Sequence, residues 1–162
     1  VYLKKAPYSP FNLPYGLLGF CIAMTGLLLR SWAAGIISKN KILTKTGPYS
    51  ICRHPLYLGS LLMAVGFITI LANAWLWLIL VLFMFFVYLP KIKGEEVKIN
   101  QLFPGQYDTY KKETGMLYPK SLSFSKIFHP WSFTRWWHHK EYNAWLASIL
   151  AIVVLHLLSL YI

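Results

Sequence analysis

Long apolar runs alternate with short polar segments along most of the chain. Four runs come close to the roughly 17 to 25 residues that a membrane-spanning helix needs, and they cover about Phe11–Ile37, Pro55–Leu71, Ala74–Leu89 and Asn143–Ile162. Ala72-Asn73-Ala74 alone joins the second and third runs, so these two are predicted to form a tight antiparallel hairpin. The pattern predicts an all-α, polytopic transmembrane protein with about four spans and a central helical hairpin.

The first run carries two features that bear on packing. Gly19, Ala23 and Gly26 recur at three- and four-residue spacings, which lets another helix approach closely. Arg30 lies near the end of the same run. It is interpreted as a side chain that reaches out to the lipid headgroups, in preference to one that forms the wall of a polar cavity.

Composition and charge agree with a membrane protein and suggest its orientation. The chain is 57% hydrophobic and 17% aromatic, with a mean hydropathy of +0.49. Its net charge of +11 comes largely from residues 38–53 and 91–140, which the positive-inside rule places in the cytoplasm, with Asn73 on the far side. We therefore expect a multi-pass protein of a bacterial or archaeal plasma membrane or of the endoplasmic reticulum, with membrane lipids as its neighbours.

Disulfide, metal and nucleic-acid chemistry are not expected. Cys21 and Cys52 do not form a disulfide framework, and the basic segments accompany no recognised nucleic-acid-binding motif. No cleavable signal peptide is expected before the first run. The histidines lack the spacing of metal ligands, so no metal site is predicted at His129, His138, His139 or His156.

The chain is predicted to form one membrane domain, residues 1–162. The motifs that carry chemistry fall within residues 41–120. Residues 121–162 add an aromatic, basic segment with the composition of a membrane interface, followed by the last apolar run.

Residues 47–59 combine a turn signal with a possible anion site. Gly47-Pro48 favours a turn, and Pro55 suits the first turn of a helix. Arg53 and His54 then lie beside the positive N-terminal end of that helix, where an anionic ligand group would be favoured. The same residue types are also common as anchors at a bilayer boundary, so this segment alone leaves both interpretations open.

Glu95 and Glu96 are expected to lie close to Arg53 and His54. A helix that returns after a three-residue connector ends beside the start of its partner, so the two pairs share one end of the hairpin. Glutamates at a membrane boundary are costly unless they are paired or functional. From composition alone, a salt bridge to Arg53 or a solvated helix face is favoured over a functional role.

Two groups of residues together resemble the signature of integral-membrane methyltransferases. The first group is Leu43, Gly47-x-Tyr49 and Arg53-His54-Pro55-x-Tyr57-x-Gly59. The second is Glu95-Glu96, Phe103, Tyr107, Tyr110, Thr114-Gly115 and Pro119. The two groups occur along the chain in the same order as in the isoprenylcysteine carboxyl methyltransferases and the phospholipid N-methyltransferases, and the predicted hairpin separates them.

The resemblance implies S-adenosylmethionine as the cofactor, held in a cytoplasmic pocket, and a lipophilic methyl acceptor that arrives from the bilayer. It also implies the residues that contact each ligand. Lys91 matches a position near the substrate. The positions that match the cofactor site are Lys41, Ile42, Leu43, Thr44, Tyr49, His54, Pro55, Leu56, Tyr57 and Glu95.

Arg53 and Glu96 are the candidate catalytic residues. Arg53 or the helix N-terminus suits the carboxylate of the cofactor, Glu95 suits its ammonium group, and Tyr49 suits its sulfonium. A carboxylate acceptor is ionised near neutral pH and needs no base, whereas an amine headgroup must first lose a proton, which Glu96 could take. As the methyl acceptor, we expect a prenylcysteine-type carboxylate ahead of an amine lipid headgroup.

Two other functions remain open from the sequence. NADPH-dependent sterol-reductase-like enzymes have a similar Arg-His-Pro corner, but Leu56 and Ser60 stand where those enzymes usually have Asn and Glu. A non-catalytic membrane adaptor that kept the fold would carry the same apolar pattern. Cofactor binding distinguishes the three functions.

Overall fold

The structure is a computed structural model, and it describes residues 14–38, 42–120 and 127–161. These residues form α-helices, short 3₁₀ and π turns and connecting loops, with an isolated β-bridge between Cys52 and Gly115. The all-α prediction is confirmed. The helices are α1 (Tyr15–Ile36), α2 (Pro55–Leu71), α3 (Ala74–Phe83), α4 (Leu89–Leu102), α5 (Gln106–Glu113), α6 (Phe133–His138) and α7 (Tyr142–Tyr161).

Among the described residues, three helical segments are long and apolar enough to cross a membrane: Tyr15–Ile36, Ala74–Leu102 and Tyr142–Ser159. The shorter α2 is apolar as well, so the polytopic prediction is confirmed. The helix that begins at Ala74 does not end near Leu89, where the third apolar run was predicted to end. It continues through a π turn, Met84–Tyr88, into α4. This wider turn ends two residues before Pro90, which cannot donate to the helical hydrogen-bond ladder.

The α1 and α2 helices pack through glycines at unusually close range. A Cβ atom on Gly19 would lie 2.6 Å from the carbonyl oxygen of Gly66, and one on Gly26 would lie 2.5 Å from that of Gly59. Ala23, between the two glycines, is buried. The close helix approach predicted from the spacing of small residues is therefore confirmed, with α2 as the partner.

The hairpin of α2 and α3 turns within two residues. Ala72 adopts a left-handed conformation, with φ of 49°, and ends α2. The Asn73 side chain then accepts a hydrogen bond from the Trp75 amide at 2.9 Å and caps α3. At the other end the hairpin closes again, where the Tyr88 hydroxyl donates to the Tyr57 carbonyl at 2.9 Å. Every residue of α3 is at least partly exposed, as expected of a helix surrounded by lipid.

The C-terminal segment is tied to the end of α1. The Ser132 amide donates to the Gly35 carbonyl at 2.9 Å, and Arg135 Nη1 donates to the Ile36 carbonyl at 2.7 Å. From α7, the Trp145 indole N–H donates to Ser31 Oγ at 2.7 Å. Arg30 forms an ion pair with Glu141. The headgroup interpretation of Arg30 is therefore wrong, because its guanidinium is paired inside the protein.

Candidate cofactor and substrate site

The corner at Arg53-His54-Pro55 is held in place by the segment that follows α5. The Arg53 amide donates to the Gly115 carbonyl at 2.8 Å, and the His54 amide donates to the Met116 carbonyl at 3.1 Å. Pro55 is the first residue of α2, as the sequence predicted. Two backbone hydrogen bonds thus fix the chain directly before α2.

Arg53 is paired with Glu96 behind this corner. Arg53 Nη2 lies 2.8 Å from Glu96 Oε1, and both side chains are about nine-tenths buried, with exposed fractions of 7% and 10%. Arg53 Nη1 also donates to the backbone carbonyls of Lys111 and Thr114. The salt bridge that the sequence favoured is therefore formed by Glu96, and each nitrogen of the Arg53 guanidinium has a protein acceptor.

His54 completes this buried cluster. Its Nε2 lies 3.2 Å from Glu96 Oε1, and the imidazole is buried. Burial lowers the pKa of His54 below its ordinary value, and the neighbouring Glu96 carboxylate only partly opposes this effect. His54 is thus neutral near pH 7 and donates its Nε2–H to Glu96. The other carboxylate oxygen of Glu96 lies 3.5 Å from the ammonium of Lys111.

Glu95 points away from this cluster, towards a cavity. Its carboxylate accepts a hydrogen bond from the Tyr57 hydroxyl at 2.6 Å. The Tyr57 ring in turn packs edge-on against Tyr88, with ring centroids 4.9 Å apart. The two adjacent glutamates therefore contact different residues, Glu95 the Tyr57 hydroxyl and Glu96 the Arg53 guanidinium. From the sequence, both were predicted to lie near Arg53.

The cavity, which we call the first cavity, has a volume of about 470 Å³ and lies between the corner, α4 and α5. Arg53 also lines it, whereas Glu96 does not. Lys41 lies outside the described residues. The structure brings together around this cavity the other residues that the resemblance assigned to the cofactor: Ile42, Leu43, Thr44, Tyr49, His54, Pro55, Leu56, Tyr57 and Glu95.

Sequence reasoning missed one helical face of the first cavity. Lys98, Ile99 and Leu102 line it together with Glu95. Their positions are three, four and seven residues after Glu95, the spacing of a single face of an α-helix. This spacing could have identified them. Phe103, Tyr107 and Tyr110 also line the cavity; the sequence identified these only as parts of the family pattern.

Tyr49 contributes a buried hydroxyl to the first cavity. Its oxygen has no hydrogen-bond partner among the described residues. The backbone at this point is fixed, because the Tyr110 hydroxyl donates to the Tyr49 carbonyl at 2.6 Å. Burial raises the pKa of the Tyr49 phenol, so it stays protonated and can both donate and accept a hydrogen bond. A buried polar group without a partner is costly, so this hydroxyl is suited to a ligand.

A second cavity of about 430 Å³ lies between the legs of the hairpin. Its apolar walls include Leu61, Leu80 and Phe83, and Leu56 and Tyr57 line both cavities. Lys91, which the resemblance placed near the substrate, lines the second cavity and not the first.

A family model shows to which protein family the chain belongs. The model described as the isoprenylcysteine carboxyl methyltransferase (ICMT) family matches residues 16–101, which are 86 of the 162 residues. The chain belongs to the ICMT family. The matched residues include α1, the Arg53-His54-Pro55 corner and the glutamate pair, so the resemblance seen in the sequence is confirmed.

Three curated relatives extend the comparison. The nickel-cobalt-cadmium resistance protein NccN of Alcaligenes xylosoxydans xylosoxydans is 34% identical over 76% of this chain and 59% of its own length. The cobalt-zinc-cadmium resistance protein CzcN of Cupriavidus metallidurans is 34% identical, over 69% of this chain and 51% of its own. The protein-S-isoprenylcysteine O-methyltransferase of Saccharomyces cerevisiae is 33% identical over 49% of this chain and 34% of its own.

The chain thus spans between about a third and three-fifths of the length of these curated relatives. No solved structure matches it. Two of the relatives are named for resistance to metals. Within the described parts of the present chain, no group of three or more His, Cys, Asp or Glu side chains is arranged to hold a metal ion.

Proposed function

We propose that the chain transfers a methyl group from S-adenosylmethionine to a lipophilic acceptor at the membrane. The observation that carries this proposal is the first cavity, because both halves of the methyltransferase pattern line it although the hairpin separates them in sequence. Its volume of about 470 Å³ falls within the range of roughly 300 to 1,000 Å³ typical of small-molecule sites.

The donor groups of the first cavity fit the chemistry of the cofactor. Glu95 offers a carboxylate for an ammonium group, and the Tyr57 hydroxyl orients that carboxylate. Tyr49 offers a sulfonium its aromatic face and a buried hydroxyl that has no partner among the residues described. When bound, the cofactor supplies an electrophilic methyl group on sulfur.

The first turn of α2 is a better hydrogen-bond partner than Arg53 for the carboxylate of the cofactor. The donors of Arg53 already bind Glu96 and two backbone carbonyls. The amides of Leu56 and Tyr57, which follow Pro55 in the first turn of α2 and line the first cavity, are the alternative partners. Lys98 also lines the cavity and adds a positive charge. Arg53, His54 and Glu96 then act by fixing the start of α2.

The geometry gives no support to a proton-accepting role for Glu96. This carboxylate is buried, binds Arg53 and His54 and does not line either cavity. A carboxylate acceptor does not need a base, because it is already ionised near pH 7. This supports a prenylcysteine-type carboxylate as the acceptor, ahead of an amine headgroup.

The acceptor is proposed to occupy the second cavity. Leu56 and Tyr57 lie between the two cavities, so a group there would lie close to the cofactor. The apolar walls suit a lipid chain, and Lys91 suits an anionic group at its polar end. Because the basic segments lie on the side of the corner, we propose that both cavities open towards the cytoplasm.

Methyl transfer from radiolabelled S-adenosylmethionine tests this function. Purified protein in lipid nanodiscs would be given a farnesylated cysteine or phosphatidylethanolamine as the acceptor. We expect label in the carboxyl ester of the farnesylated cysteine and its loss on mild alkaline hydrolysis. Label in the amine lipid alone would show that the acceptor is an amine headgroup and not a carboxylate. No transfer to either acceptor would contradict the enzymatic function.

A further inference from the structure

Arg30 of α1 lines the second cavity, and its charge is balanced by Glu141 at the start of α7. Arg30 Nη2 lies 2.8 Å from Glu141 Oε1, and Arg30 Nε donates to Glu141 Oε2 at 3.2 Å. This two-point contact is the arrangement in which Arg and a carboxylate bind each other best. Glu141 is only 5% exposed, whereas the Arg30 side chain is 23% exposed, so solvent screens the pair only in part.

The remaining donors of Arg30 fix it against α2. Its Nη1 donates to the Leu56 carbonyl at 3.4 Å and to the Ser60 hydroxyl. Leu56 lies between the two cavities. The guanidinium therefore stays at the wall of the second cavity. Its ion pair with Glu141 determines how much positive charge it adds to the cavity.

Lys91 supplies the other charge of the second cavity. Among the described residues that line this cavity, Arg30 and Lys91 carry charge and no acidic residue is present. The described residues offer Lys91 no ion-pair partner. Because Glu141 neutralises Arg30, the cavity presents a single net positive charge.

We propose that Glu141 determines which ligand charge the second cavity accepts. With Arg30 balanced, the cavity selects a lipophilic ligand that carries one negative charge, which Lys91 binds. This inference rests on the proposed role of the second cavity as the acceptor site. Glu141 lies beyond residues 16–101, the part matched by the family model, so the C-terminal segment would contribute specificity to the core.

Binding of three single-chain lipids tests this assignment without any methyl transfer. The probes are hexadecanoate, hexadecyl phosphate and hexadecylamine, which displace radiolabelled hexadecanoate from detergent-solubilised protein at about pH 8, where a phosphate monoester carries close to two charges. We expect the wild type to bind hexadecanoate at least about tenfold more tightly than hexadecylamine. Glu141→Gln should shift the preference towards hexadecyl phosphate over hexadecanoate by at least about fivefold, because Arg30 becomes a second free cation.

Two matched variants separate charge from folding. Arg30→Gln combined with Glu141→Gln removes both charges, so the preference between the two anions should return to the wild-type value. Arg135→Gln removes another tie between the C-terminal segment and α1 without touching the cavity. It should lower the unfolding temperature and leave the preference between the probes unchanged.

Several results would overturn the assignment. One is an unchanged preference in folded Glu141→Gln, and another is the same shift in Arg135→Gln or in the double variant. If Glu141→Gln does not fold, Lys91→Met serves instead and must lose the preference for hexadecanoate over hexadecylamine. No binding of any probe to the wild type would remove the second cavity as a lipid site, whereas methyl transfer is measured separately and tests the enzymatic function.

Discussion

Glu95 and Glu96 are neighbours in the sequence, but they meet different surroundings. Successive residues on an α-helix point about 100° apart, so one faces the first cavity and the other faces Arg53 and His54. The sequence predicted that the pair would meet the Arg53-His54 corner, because the hairpin brings its two ends together. Which glutamate faces the cavity depends on the rotation of α4 about its axis, and tertiary packing sets that rotation.

Glu95 is expected to matter for cofactor binding through its charge. Glu95→Gln keeps the size of the side chain and removes the negative charge beside the Tyr57 hydroxyl. We expect at least about tenfold weaker binding of S-adenosylhomocysteine, or ~1.4 kcal/mol, the scale of one charge-assisted contact. Calorimetric titration measures this. Glu113→Gln, an exposed acid at the end of α5, is the control, and equal affinities in the two variants would refute the role of Glu95.

The buried His54 makes stability depend on pH. In the unfolded chain a histidine titrates near pH 6.5, whereas burial lowers the pKa of His54 in the fold. The unfolded chain therefore binds more protons just below that pH, and stability is lost as the pH falls from about 6.5 towards the folded pKa.

We expect the thermal unfolding midpoint in detergent to fall between about pH 7.5 and 5, and His54→Gln to flatten this part of the profile. His129 is exposed, so His129→Gln should keep the wild-type profile. A profile that is equally steep in both variants would show that another group causes the loss.

At the scale of elements, the α1–α2 pair supports the site because α2 carries Pro55, Leu56 and Tyr57 at its start. The sequence predicted this contact from small residues, since spacing alone defines a narrow face on a helix. It did not predict that the third apolar run continues as one helix to Leu102. The boundary was placed where apolar residues stop, but the helix continues past that point and brings Glu95 to the first cavity.

Glycine at the α1–α2 contact is expected to be essential for stability. A Cβ atom at Gly66 would lie 2.5 Å from both the Ala23 amide nitrogen and the Gly19 carbonyl oxygen. Because these are backbone atoms, the helices must separate, at a cost of about 1 to 3 kcal/mol for overpacking. We expect Gly66→Ala to lower the unfolding temperature in detergent.

Gly94→Ala is the matched control, because a Cβ atom there meets no atom within 4 Å. In a helix, alanine is favoured over glycine by up to about 1 kcal/mol, so this variant should be neutral or more stable. Equal loss of stability in both variants would argue against a close helix contact at Gly66.

For the whole molecule, the distribution of charge predicts the orientation. Asn73 lies at one end of the hairpin and is exposed, and Lys120 follows the corner segment at the other end and is also exposed. In a Cys21→Ala, Cys52→Ala background, cysteine placed at Lys120 should react with an impermeant maleimide only from the cytoplasmic side, and cysteine at Asn73 only from the opposite side. Labelling of both positions from one side would contradict the predicted topology.

The sequence predicted the membrane class, the hairpin, and the corner residues and Glu95 at the first cavity, because their signals are local or come from a shared family pattern. It did not predict the pairing of Arg30 with Glu141, which are 111 residues apart. No periodicity links α1 to α7, so this contact could be read only from the fold. The interpretation of Arg30 failed for that reason.

Equilibrium titration of the purified protein in detergent with S-adenosylhomocysteine and with NADPH tests most directly which cofactor the first cavity binds. We expect S-adenosylhomocysteine to bind saturably with one site per chain, and NADPH to give no saturable signal. Glu95, Tyr57 and the buried Tyr49 hydroxyl are the groups responsible for this expectation. Saturable binding of NADPH without binding of S-adenosylhomocysteine would contradict methyltransferase chemistry at this site, and binding of neither would favour a non-catalytic adaptor.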